Sequence, residues 1–116
     1  MIEGRILTGA IPLNEVAGLL GSYGDFVKAV VDVSRRVMVV GGELHADDEA
    51  ILLDQGSRQE DLWGINLYPS DDQDDWIEFD SMINIRPRQG NRSRGVEDRA
   101  TQQLIREVVG SLVVRP

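Results

Sequence analysis

Over residues 76–86 apolar and polar side chains alternate almost without interruption. Ile77, Phe79, Ser81, Ile83 and Ile85 fall on one side; Trp76, Glu78, Asp80, Met82, Asn84 and Arg86 fall on the other. A period of two marks a strand with one buried face. The stretch therefore predicts a long half-buried strand, stopped by Pro87, which has no N–H to extend a ladder. Upstream, Trp63, Ile65 and Leu67 alternate with Gly64, Asn66 and Tyr68. The polar run at 69–75 between the two reads as the loop of an antiparallel hairpin.

A second hairpin lies earlier. Residues 26–33 are rich in β-branched types, with Val27, Ala29, Val31 and Val33 on one face and Phe26, Lys28, Val30 and Asp32 on the other. Ser34-Arg35-Arg36 is the turn and residues 37–40 return. This hairpin is apolar on both faces, which places it centrally in a sheet or under a partner. Its register stays open, because a slip of one residue reverses every side chain.

Three helices surround these strands. Leu13, Val16, Ala17 and Leu20 follow a helical spacing that ends near Gly21 and Gly24. Residues 45–56 read as a short helix with acids crowded into its first turn and Gly56 past its end. Ser57-Arg58-Gln59-Glu60 matches a capping box and predicts one more helical turn. Residues 96–113 carry an apolar stripe of Val96, Ala100, Leu104, Ile105, Val108, Val109, Leu112 and Val113. The order αββαββα predicts a two-layer α+β fold, an antiparallel sheet of two hairpins covered by helices, in one domain over residues 1–116.

Charge narrows the partners. The net charge of −8 comes from 20 acids and 12 bases, unevenly placed: residues 43–80 hold thirteen acids and one base, and residues 81–116 hold seven bases and three acids. The overall negative field opposes duplex nucleic acid and anionic membrane, since both are bound through neutralised phosphates. No apolar run approaches membrane-spanning length, and the N-terminal stretch does not read as a secretory signal. With 0 cysteines, thiolate chemistry is excluded and a cytoplasmic location is expected.

Three segments carry candidate chemistry. The first is the loop at 86–95, which holds Arg86, Arg88, Arg92 and Arg94 together with Gly90, Asn91 and Ser93, and leads into a helix N-terminus. Arginine forks and unpaired helical N–H groups suit a carboxylate or phosphate. Most of these arginines have the acids of the middle region to balance them; Arg92, beside Asn91 and Gly90, stands open between that role and an anion. The loop matches neither the phosphate-loop nor the dinucleotide spacing. The second is the polar face of the later hairpin, where Asn66, Asn84 and Arg86 point away from the apolar side and could meet Glu43 or His45. The third is the acidic stretch of Glu43, His45, Asp47, Asp48 and Glu49, whose spacing fits no metal motif. The run at 71–75 lacks the glycine and terminal glutamate of a calcium loop. No residue is assigned a catalytic role, no metal site is expected and no cofactor is implied.

Several blocks stand in a fixed order: Gly41-Gly42-Glu43-Leu44-His45-Ala46-Asp47, Gln55-Gly56-Ser57, Asp61-Leu62-Trp63-Gly64-Ile65-Asn66-Leu67-Tyr68-Pro69, and Ile83-Asn84-Ile85-Arg86-Pro87 followed by Gln89-Gly90-Asn91-Arg92-Ser93. Together with residues 26–32 they resemble an uncharacterised family of short prokaryotic proteins, a domain of unknown function, over residues 13–114. The resemblance implies that Glu43, His45, Asn66, Asn84, Arg86 and Arg92 belong to shared blocks and that the acidic loop does not. It implies no activity. The function expected is a binding or interaction module that self-associates as a homodimer, with Phe26, Val30, Met38 and Trp76 as the apolar contact surface. The alternative is a ligand-binding protein or enzyme acting on a carboxylate- or phosphate-bearing molecule through the loop at 86–93.

Overall fold

Both faces of the early hairpin are covered in the computed structural model, which describes residues 3–20 and 24–116. The chain runs β1 (Arg5–Leu7), β2 (Ile11–Pro12), α1 (Leu13–Ala17), β3 (Val27–Asp32), β4 (Val37–Val40), α2 (His45–Asp54), β5 (Leu62–Leu67), β6 (Ile77–Glu78), α3 (Arg99–Leu112) and β7 (Val113–Val114). The fold is α+β, with a five-stranded antiparallel sheet in the order β1-β4-β3-β5-β6. Instead of two layers there are three. Ala29 and Val31 of β3, Met38 and Val40 of β4, and Trp63, Ile65 and Leu67 of β5 pack with Ile105, Val108, Val109 and Leu112 of α3. On the opposite face Val30, Val39 and Leu62 pack with Leu52 of α2, and Ile51 and Ile83 join them. The doubly apolar hairpin is thus buried by the chain's own helices. Val30 and Met38 are fully buried, Trp76 nearly so and Phe26 partly, so these four do not form an exposed contact surface.

The register follows from the turn. Asp32 pairs with Val37, and its Oδ1 accepts the Ser34 and Arg35 amides at 2.9 and 2.8 Å, an Asx turn that leaves Arg36 at φ 58°. Ala29 then faces Val40 and Val31 faces Met38, which puts Met38 on the α3 side.

The long strand predicted over 76–86 is a correction. Only Ile77 and Glu78 pair with β5, opposite Leu67 and Asn66. The chain then leaves the ladder, and Ser81 Oγ accepts the Ile83 amide to start a 3-10 turn at Met82–Asn84. A further such turn spans Pro87–Gln89. The cause sits in β5. Gly64 has no side chain, and a Cβ there would lie 2.5 Å from the Ser81 Cβ. The backbone after β6 is therefore drawn across Gly64 rather than continuing beside it. The second hairpin is cut to two paired residues on each strand, and a folded-over loop takes the place of the rest of the long strand.

Helix boundaries differ less. α2 ends at Asp54, with Gly56 in the left-handed region at φ 95°. The capping box at Ser57 does not form: the Ser57 hydroxyl donates to Asp32 Oδ2 at 2.6 Å instead, and a 3-10 turn follows at Gln59–Asp61. α3 begins after Asp98, whose carboxylate accepts the Thr101 amide at 3.0 Å. α1 stops at Ala17; Gly21 lies outside the described residues. β2 and β7 form a short parallel pair, Ile11 opposite Val113.

Candidate functional site

The loop at 86–95 is held by its own donors and acceptors. Asn84 is fully buried: its Oδ1 accepts the Gly64 amide at 2.8 Å, and its Nδ2 donates to the carbonyls of Gly64 and Arg94, each at 2.9 Å. Asn91 Nδ2 donates to the carbonyls of Asn84 and Gly95, each at 2.8 Å, while its Oδ1 accepts the Glu97 amide at 2.9 Å. Arg86 stacks on the Trp63 ring at 4.2 Å and donates to the carbonyls of Gln59 and Leu62. Burial lowers its basicity, against the pull of Glu49 and Asp61. The expectation that Asn84 and Arg86 project freely outward is thus overturned, because both are locked to main-chain atoms. Gly90 supplies the left-handed turn, at φ 79°. The amides of Arg92 and Ser93 form an anion-binding concavity that Glu97 already fills, its Oε2 accepting both at 2.7 and 2.8 Å. Those bonds, the Arg92 amide first, hold the Glu97 carboxyl below its ordinary range. The Arg92 and Ser93 side chains are exposed.

This scaffold positions a cleft on the α2 side of the sheet. The Arg94 carbonyl takes bonds from the Asn84 side chain and, at 2.9 Å, from the Ser81 amide, which ties both residues to one wall. The cleft has a volume of about 200 Å³, with Lys28 on its sheet side, His45 from the first turn of α2, Ser81 and Arg94 opposite, and Leu44 and Met82 at its apolar edge. Lys28 reaches it because β3 alternates: Lys28 shares the α2 face with Val30 and lies opposite Asn66. Arg94 donates from Nε to Asp80 Oδ1 at 2.6 Å, and that ion pair is half-exposed. The N-cap residue Leu44 has no side-chain acceptor; its carbonyl accepts the Asp47 amide at 3.1 Å.

His45 is the buried member, at 7 % exposure. Its Nε2 lies 2.8 Å from the Ile65 carbonyl oxygen. A carbonyl only accepts, so Nε2 carries the proton, and a neutral ring keeps a lone pair on Nδ1. Burial depresses the imidazole pKa and Lys28 adds to that, while the Ile65 carbonyl, Asp80 and Asn66 act in the other direction. Asn66 donates to Glu78 at 2.8 Å, and its own Oδ1 is buried without a partner. Of the residues singled out by sequence, His45 lines the cleft and Asn66 backs it, Asn84 and Asn91 build its wall from behind, and Glu43 is exposed just before α2.

Asp48, read from sequence as one member of the acidic stretch, is set apart from it by burial. It sits one turn along α2 from His45, fully buried, with neither carboxylate oxygen in a well-formed hydrogen bond. Gly4 and Gly42 make room for it, since a Cβ at either would lie within 2.3 Å of Oδ1. Burial pushes its carboxyl up to about 7, against the Gly42 amide and Lys28. Lys28 therefore acts electrostatically on both Asp48 and His45. The sequence signals were present: Lys28 interrupts an apolar strand, and Asp48 follows His45 at the three-residue spacing that shares a helix face.

Among the described residues no group of three or more His, Asp or Glu side chains is placed to hold a metal ion. None of the helices there is long and apolar enough to cross a membrane. A family model described as Protein of unknown function (DUF5674) matches residues 5–112. No curated protein and no solved structure matches the chain.

Proposed function

The chain belongs to this family of unknown function, and we propose that it is a small-ligand-binding protein that takes a carboxylate- or phosphate-bearing molecule in the cleft beside His45. The observation that carries this reading is the convergence of Lys28, His45 and Arg94, from three separate segments, on one cavity that also meets the first turn of α2. Cationic side chains and the positive end of a helix dipole favour an anion together more than either does alone. The loop at 86–93 serves this site as its support. Its own anion concavity holds Glu97, and its buried amides and guanidinium are committed to the backbone.

Titration of the isotope-labelled protein with acetate and with inorganic phosphate, followed by amide chemical shifts, tests the reading. Saturable shifts are expected at Lys28, His45, Ala46, Ser81 and Arg94. They disappear in the double variant Lys28→Met with Arg94→Gln. Shifts centred on Arg92 and Ser93 instead would place the anion in the loop, and a flat titration with both anions would refute binding.

A further inference from the structure

The same cleft has features that select among anions, and the inference drawn from them rests on the reading just given. Its positive charge is limited. Asp80 already holds Arg94 through Nε, and Asp47 lies in the first turn of α2. A dianion would meet the Asp80 carboxylate beside Arg94, in a chain whose net charge is −8. A single negative charge fits this balance better than two. Leu44 and Met82, exposed at 55 % and 65 %, give the mouth an apolar edge, and Ile83 continues it inward. At about 30 Å³ per water, the cavity volume of about 200 Å³ holds roughly six or seven water-sized groups. The imidazole of His45, fixed through Nε2 on the Ile65 carbonyl, offers a hydrogen-bond acceptor at Nδ1. A hydroxyl on a bound ligand is a donor that matches this acceptor.

We infer that the cleft takes a short-chain hydroxy acid: one carboxylate held by Arg94, Lys28 and the first turn of α2, a hydroxyl donating to His45, and a few carbons against Leu44, Met82 and Ile83. An ammonium in the hydroxyl's place would be repelled by Lys28 and Arg94. A phosphate would bring a second charge and no apolar body.

Calorimetry with three probes, butyrate, 3-hydroxybutyrate and inorganic phosphate, separates the outcomes. Hydroxybutyrate is expected to bind roughly 3- to 10-fold more tightly than butyrate, the value of one net hydrogen bond, and phosphate more weakly than both. Equal affinities for butyrate and hydroxybutyrate would overturn the hydroxyl assignment, and tighter phosphate binding would overturn the single-charge assignment. In either case the anion site itself would stand. No heat from any of the three would remove the site as well.

Discussion

The carboxamide of Asn84 presents Gly64 with the donor and acceptor that a neighbouring peptide unit would present. It continues the edge of β5 where β6 has stopped, and it spends its second N–H on Arg94. Replacing it leaves the Gly64 N–H and C=O unpaired in a buried place, at about 1–3 kcal/mol for each group. Asn84→Ala is expected to lose several kcal/mol in urea unfolding. Asn84→Asp keeps the shape but turns a carboxylate oxygen on two carbonyls, so it should do no better than alanine. Recovery of wild-type stability in the aspartate variant would show that the donor side of the amide does not matter. Arg86 is spent in a similar way, on two carbonyls and an indole face. From sequence, both residues looked like the wet face of a strand. Nothing in a period of two distinguishes an asparagine that faces water from one that replaces backbone.

At the scale of elements, the information that broke the long strand was in its neighbour. Gly64 in the middle of an apolar strand is a sign of close backbone approach, and here the approaching group is Ser81. Gly64→Ala is expected to push the Met82–Asn84 turn off β5 and to cost about 1–3 kcal/mol. Gly110→Ala, within α3 and open to solvent, should raise stability by about 0.5–1 kcal/mol. A thermal melt of both variants checks the pair, and equal shifts would deny Gly64 its special place. β3, β4, β5, α2 and most of α3 were legible because each carries its own pattern over several residues. The stub of β6 and the three-layer arrangement were not, because they depend on which element covers which face. The cleft was half legible: His45 and Asn66 were singled out, but Lys28, Ser81 and Arg94 join them only through the tertiary fold.

At the scale of the whole molecule, one buried carboxyl shapes the response to pH. Asp48 has an ordinary pKa of 3.8 and one of about 7 in the fold. A group raised on folding contributes stability that is fully present below its unfolded value and is lost as pH rises through its folded value. The loss on going from pH 4 to pH 8 is on the order of 4 kcal/mol. Asp48→Asn, neutral throughout, should lack this decline and be the more stable protein at pH 8. Parallel unfolding curves at pH 4, 6 and 8 measure it, and identical slopes for the two proteins would show that the carboxyl is not held neutral. The parallel pairing of β2 with β7 has a different outcome in time. Ile11 finds its partner only at Val113, so during synthesis residues up to 113 must emerge from the ribosome before that ladder can close. Until then β2 lacks that ladder, and in nascent chains of increasing length its amides should gain protection later than those of the β3–β4 hairpin; simultaneous protection would show that β7 does not close it.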